Sequence, residues 1–129
     1  MAEATSRIER YLADELGECR SEDLQKRLDE LDELDALVDE EALSTDVGAL
    51  AALGNETRYR LVRLLVEADS ELCVCELTPL MDVSDSAVSH ALAKLVDTDL
   101  VTKRKDGRWR KYRATPRASA LLVVLDGTR

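Results

Sequence analysis

Residues 71–96, ELCVCELTPLMDVSDSAVSHALAKLV, restrict the fold more than any other stretch of the chain. Two thiols, Cys73 and Cys75, open a short apolar segment that reads as a helix running to about Met81. Asp82-Val83-Ser84 supplies a turn. A second helix begins at Ser84 or Asp85, with Ser86, Ser89 and His90 spaced to lie on its exposed side. Helix, tight turn and a second helix with a polar face is the helix-turn-helix pattern, in which the second helix is presented to DNA.

The next residues extend that pattern. Leu100 to Arg104 alternate as a strand, Asp106-Gly107 signals a hairpin turn, and Trp109 to Ala114 return as a second strand. Seven bases stand in the eleven residues from Lys103 to Arg113, against the single acid Asp106. A basic hairpin directly after a helix-turn-helix is a wing, and the expected fold is mainly α with a small β-hairpin wing. Thr115 and Pro116 cap a last, strongly apolar helix to about Leu125, with proline in the first turn where its missing N–H costs nothing. Leu121, Leu122, Val124 and Leu125 make that helix either core or a dimer face, and the dimer face is favoured.

Upstream, Ile8, Leu12 and Leu16 recur every four residues in a first helix over 4–16, ended by Gly17. Cys19 follows in the linker GECR. Ser21 is an expected N-cap, with Glu22 and Asp23 where the helix dipole favours carboxylates. Leu24, Leu28, Leu31, Leu34 and Val38 then form an apolar stripe on an otherwise charged helix, which packs either on its own domain or on a partner chain. Ser44-Thr45-Asp46 offers a further cap and Asn55 another, the latter opening a helix over 56–68 with Tyr59, Leu61, Val62, Leu65 and Val66 inward. The domain reading is an acidic helical extension over 1–43 and a winged helix-turn-helix over 44–129.

Composition fits a helical protein. Hydrophobic residues make up 45% of the 129, but aromatics only 3%, and phenylalanine is absent. The core must therefore be leucine, valine and alanine, and leucine and alanine are strong helix formers. No run approaches the roughly 18 apolar residues that cross a bilayer, and the charged N-terminus lacks a signal core, so a cytoplasmic location is expected. The net charge of −9 is unusual for a nucleic-acid binder, but it is unevenly placed: residues 1–57 carry −12 and residues 58–129 carry +3. The acidic excess points to a salt-rich cytoplasm; the alternative is an acidic tail of no special meaning. With one histidine and no nucleophile–base constellation, the chain does not read as an enzyme.

From ELCVCEL through SDSAVSHALAKLVDTDLV to VTKRKDGRWRKYRA, the sequence resembles the arsenical-resistance repressors of the ArsR/SmtB family of winged-helix proteins. The likeness covers roughly residues 47–125. It implies a homodimer on an inverted-repeat operator, released when As(III), Sb(III) or a soft divalent ion binds thiolates, with no resident cofactor required. The dimer would be built from the first and last helices of the domain, and the helix Ser84–Val96 would read the major groove. Two positions depart from the family pattern: Thr78 stands where a third cysteine is common, and Asp99 where many relatives have glycine. No Asp-x-His pair occurs in the last helix, which argues against the family's zinc site there.

The ion ligands are then Cys73 and Cys75, with Cys19 as the candidate third sulfur and a small thiol or hydroxide completing the site as the alternative. Thiolates select soft ions. Residues two apart on a regular helix project about 200° apart, so one ion cannot bridge Cys73 and Cys75 unless the segment Leu72–Glu76 unwinds or tilts. That distortion is the expected lever on the neighbouring recognition helix. A buried, inert cysteine pair and a redox sensor are the alternatives. On DNA, Ser84, Ser86, Ser89 and His90 would face base edges, and Lys94 the backbone. Lys103, Arg104, Lys105, Arg108, Arg110 and Lys111 would meet phosphates.

Overall fold

Leucine, valine and alanine do supply nearly every buried side chain, as a chain without phenylalanine requires. The computed structural model describes residues 2–129. It contains α1 (Ala2–Leu16), α2 (Ser21–Ala36), α3 (Glu40–Leu53), α4 (Glu56–Ala68), β1 (Leu72–Cys73), α5 (Val74–Leu77), a 3₁₀ turn (Thr78–Leu80), α6 (Asp85–Asp97), β2 (Val101–Asp106), β3 (Trp109–Ala114) and α7 (Pro116–Gly127). Two units are distinct, one ending at Glu41 and one spanning Ala42–Arg129. Among the described residues no helix is long and apolar enough to cross a membrane.

In the first unit, α1 and α2 form a helical pair linked through Gly17, whose φ of +85° suits a residue without Cβ. Leu12 is its buried side chain; Leu24, Leu28 and Leu31 are half-buried, whereas Leu34, Leu37 and Val38 are exposed. The expected N-cap at Ser21 moves back by one residue. Arg20 holds the extended cap conformation, and the Asp23 carboxylate accepts its N–H at 3.1 Å.

Helix α3 also starts earlier than expected. Asp39 accepts the N–H of Glu41 at 3.0 Å, so Ser44, Thr45 and Asp46 lie inside the helix rather than capping it. The early acids of α3 favour this start through the helix dipole. A continuous helix therefore passes through residues 43 and 44.

The second unit has one core. Ala49 and Ala52 of α3, Leu61, Val62 and Leu65 of α4, Leu77, Val88, Leu92 and Leu95, Leu100 and Val101, Tyr112, Ala118 and Leu122 are all buried in it. Asn55 caps α4 by accepting from Arg58 N–H at 3.1 Å. The arginines of α4 are all engaged. Arg58 Nε donates to the Ala52 carbonyl at 2.7 Å, closing the end of α3, and Arg60 Nε donates to Leu80 O at 3.2 Å. Arg63 grips Asp126 of α7 with two bonds of 2.9 and 2.8 Å and donates to the Tyr59 hydroxyl. Those bonds from Arg63 hold the Asp126 carboxyl below its ordinary pKa.

The wing is a three-stranded antiparallel sheet in the order β1-β3-β2. Asp106 pairs with Trp109 across a two-residue loop, and Gly107 carries its positive φ of 62°. Glycine at the first central position suits such a hairpin. The strand absent from the sequence reading is β1: Leu72 pairs with Tyr112 and Cys73 with Lys111.

Candidate functional site

Helix α6 turns Val88, Ala91, Leu92 and Leu95 into the core, and that periodicity leaves Ser86, Ser89, His90 and Lys94 exposed together. Ser84 is exposed as well, but its hydroxyl is committed. It caps α6 by accepting from Ala87 N–H at 3.2 Å and lies 3.3 Å from the Ser86 hydroxyl. Two residues past the end of α6, Asp99 does adopt the left-handed conformation, φ 59°.

Six of the seven wing bases fall into two sets, and the seventh, Arg113, is exposed on β3. Arg104 forms a forked ion pair with Glu71, both contacts at 2.9 Å, and Lys111 pairs with Asp106 at 3.1 Å. Hydrogen bonds from Arg104 depress the Glu71 pKa, and those from Lys111 depress that of Asp106. These two bases are taken up in ion pairs on the wing. Lys103, Lys105, Arg108 and Arg110 are exposed, and the Arg108 guanidinium lies 4.8 Å from the centre of the Trp109 ring. Trp109, itself 47% exposed, is a large aromatic on the wing that the sequence reading did not single out.

The thiols differ from expectation. Cys73 is not in the helix. It is extended, with φ −86° and ψ 164°, as the last residue of β1 and the N-cap of α5. Its N–H is taken by Glu76 Oε1 at 3.0 Å. Pairing with Lys111 of β3 holds it there. A strand residue followed by the first helical turn brings the two sulfurs to one side, and Cys73 and Cys75 are joined by a disulfide, their Cα atoms 5.2 Å apart. The predicted divergence of about 200° rested on one regular helix; the chain bends before the helix starts, so that premise does not hold. Cys73 is buried and Cys75 exposed.

Thr78, at the usual position of a third cysteine, donates its hydroxyl to Val74 O at 2.9 Å. Cys19 is a free, half-buried thiol in the first unit. Burial raises its pKa, and the Asp23 and Glu9 charges raise it further. Among the described residues no three His, Cys, Asp or Glu side chains gather to hold an ion.

Comparison with known proteins places this arrangement. Residues 55–103 match the family described as "Bacterial regulatory protein, arsR family". The chain is 58% identical over 126 residues, 98% of each protein, to the putative arsenical resistance operon repressor ArsR of Halobacterium salinarum. This chain belongs to the arsR family. A second H. salinarum relative, the putative arsenical resistance operon repressor ArsR2, is 48% identical over 71% of this chain and 77% of its own length. Among solved structures, HlyU of Vibrio cholerae superposes with a TM-score of 0.60 at 32% identity, covering 67% of this chain and 94% of its own. As an arsR-family protein, the chain is a DNA-binding transcriptional repressor and not an enzyme. The winged helix-turn-helix expectation holds, and the acidic composition fits a relative from a halophile.

Proposed function

We propose that this arsR-family repressor acts in the cytoplasm, binds an inverted-repeat operator as a homodimer, and leaves it when As(III), Sb(III) or a soft divalent ion is captured by Cys73 and Cys75. The observation that carries the reading is the pairing of Cys73 with Lys111: the thiol turn is the edge strand of the wing. The name of the H. salinarum relative, an arsenical resistance repressor, supports the choice of ion.

Ser86, Ser89 and His90 are the proposed base-edge contacts, with Lys94 on the backbone and the Ser84 hydroxyl retained as a cap. Lys103, Lys105, Arg108 and Arg110 meet phosphate, while Arg104 and Lys111 shape the sheet. For the dimer, exposed Val47 and Leu50 of α3 and Val123, Val124 and Leu125 of α7 form the apolar surface that supports it. Exposed Leu34 of α2, with Leu37 and Val38 just after it, offers an additional face.

A soft ion would supply a tie between two thiolates, and Cys73 and Cys75 would hold it. The rest belongs to the chain. Cys73 gives its N–H to Glu76 and its backbone to β3, so reorienting its side chain disturbs the ladder that carries Arg110 and Lys111. The Glu71–Arg104 pair transmits the same movement to β2. The lever is thus wing geometry, in place of the helix unwinding expected from sequence. Cys19 belongs to the other unit, and the proposed ligand set is the two thiols of the turn.

Operator release followed by fluorescence anisotropy tests the reading. Cys73→Ser and Cys75→Ser should each bind operator yet stay bound in arsenite. Full release of the double variant by arsenite would end it. The disulfide favours one other reading, a redox switch, in which two thiols and one peroxide yield the disulfide and two waters. Release by peroxide at concentrations where arsenite does nothing would select that reading.

A further inference from the structure

Trivalent arsenic binds three sulfurs, and the thiol turn brings two. What surrounds the pair bears on the third. Cys73 and Cys75 open onto a cleft of about 550 Å³ whose far wall is the wing tip, with Lys105, Arg108, Trp109 and Arg110 lining it. That volume suits a small organic molecule. No carboxylate lines the cleft. The nearby acids do not line it and have partners of their own: Glu76 accepts the Cys73 N–H, Glu71 pairs with Arg104, and Asp106 with Lys111. In a chain of net charge −9, three cations facing two sulfurs with no acid among them is a built-in anion preference.

We propose that this cleft seats a small carboxylate-bearing thiol, whose sulfur joins Cys73 and Cys75 on the captured ion while its carboxylates rest on Lys105, Arg108 and Arg110. The inference rests on the thiol-sensor reading above and names the ligand that completes it. Charge-assisted hydrogen bonds from guanidinium to carboxylate are the strong ones, so they orient the small thiol as well as hold it. The chemistry balances without an oxidant. Cys73, Cys75 and the small thiol each pass one proton to a hydroxide of arsenous acid, As(OH)3, and take its place, releasing three waters. Where the pair starts as the disulfide, two equivalents of the same thiol reduce it and depart as their own disulfide. Because Lys105, Arg108 and Arg110 are also the proposed phosphate contacts, the seated carboxylates remove wing charge that DNA needs. Capture and operator release are thereby joined.

The test uses full-length reduced protein without DNA, titrated with arsenite beside one of three thiols: mercaptosuccinate (anionic), mercaptoethanol (neutral) or cysteamine (cationic). Trp109, the only tryptophan, lines the cleft and reports binding by its emission. Native mass spectrometry counts arsenic and thiol per chain, and X-ray absorption counts As–S contacts. Mercaptosuccinate is expected to complete a one-arsenic, one-thiol, three-sulfur complex at roughly tenfold lower concentration than mercaptoethanol, one charge-assisted bond's worth, with cysteamine weakest. Arg108→Gln with Arg110→Gln should remove that ranking while arsenite still binds. Equal affinity for the three thiols on the wild-type protein overturns the proposal and leaves the sensor reading standing. Three As–S contacts with no added thiol overturn it too, by giving the third sulfur to Cys19 or a second chain. No arsenic bound under any thiol removes the sensor reading itself, and this one with it.

Discussion

Replacing Thr115 tests how α6, the wing and α7 are joined. Its side chain is 5% exposed. The hydroxyl donates to Asp99 O at 2.8 Å and accepts from Ala118 N–H at 3.2 Å, while its own N–H donates to Leu100 O at 3.1 Å. One residue therefore caps α7 and satisfies the carbonyl of the left-handed residue that follows α6. Thr115→Ala removes an N-cap, about 1 kcal/mol. It also leaves the Asp99 carbonyl without its donor, about 1 kcal/mol, and removes a buried methyl, about 0.8 kcal/mol. The expected loss is roughly 2–3 kcal/mol if these contributions add. Thr115→Ser keeps both hydroxyl bonds and should cost only the methyl, about 0.8 kcal/mol. Urea unfolding at fixed protein and salt concentration measures both variants, with Tm falling by ~4–8 °C per kcal/mol for a domain of this size. If Ala and Ser destabilise equally, the hydroxyl is not the link described and the cap reasoning fails.

Asp99→Gly should stabilise the protein by about 0.5 kcal/mol, because glycine adopts φ 59° without the Cβ penalty and gives part of that gain back as unfolded-state entropy; a lower denaturation midpoint would contradict it. Asp126 has a depressed pKa in the folded state, so its contribution is present above the ordinary carboxylate pKa and lost as pH falls through the folded value. The Tm gap between wild type and Asp126→Asn should accordingly be widest near neutrality and close below about pH 4; a gap that widens in acid would reverse the assignment. On DNA, Arg108→Ala with Arg110→Ala should weaken binding to all sequences alike and reduce the salt slope by about 2, whereas Ser86→Ala with His90→Ala should erode discrimination against random DNA. Val124→Glu with Leu125→Glu should give monomers by sedimentation, and an unchanged dimer would remove α7 from the interface.

What could be read from residues alone was local. Asn55 and Thr115 cap the helices they were expected to cap, because a cap is an interaction between a side chain and an N–H three residues on. Gly107 turns the hairpin because only its own backbone freedom is at stake. The polar face of α6 follows from a 3.6-residue period, and the charge of the wing is plain in the string KRKDGRWRK. The cap at Ser44 failed because three candidate capping residues in a row look alike until the true helix start, fixed at Asp39, is known.

The thiol site was of the other kind. Cys73 is extended because Lys111 holds it from a strand far along the chain, and a two-residue strand is too short to show alternation. Taken by itself, ELCVCEL is as good a helix as any, and the sulfurs would then point apart. Arg104 reads as one more wing cation until Glu71, 33 residues earlier, is found against it. Trp109 becomes part of a cleft only when the hairpin folds back beside β1. Capping, turn and periodicity signals lie within a few residues of one another and survive in a linear string. Strand pairing, ion pairing and cleft walls join residues tens of positions apart and leave no local mark, so only the folded chain brings them together.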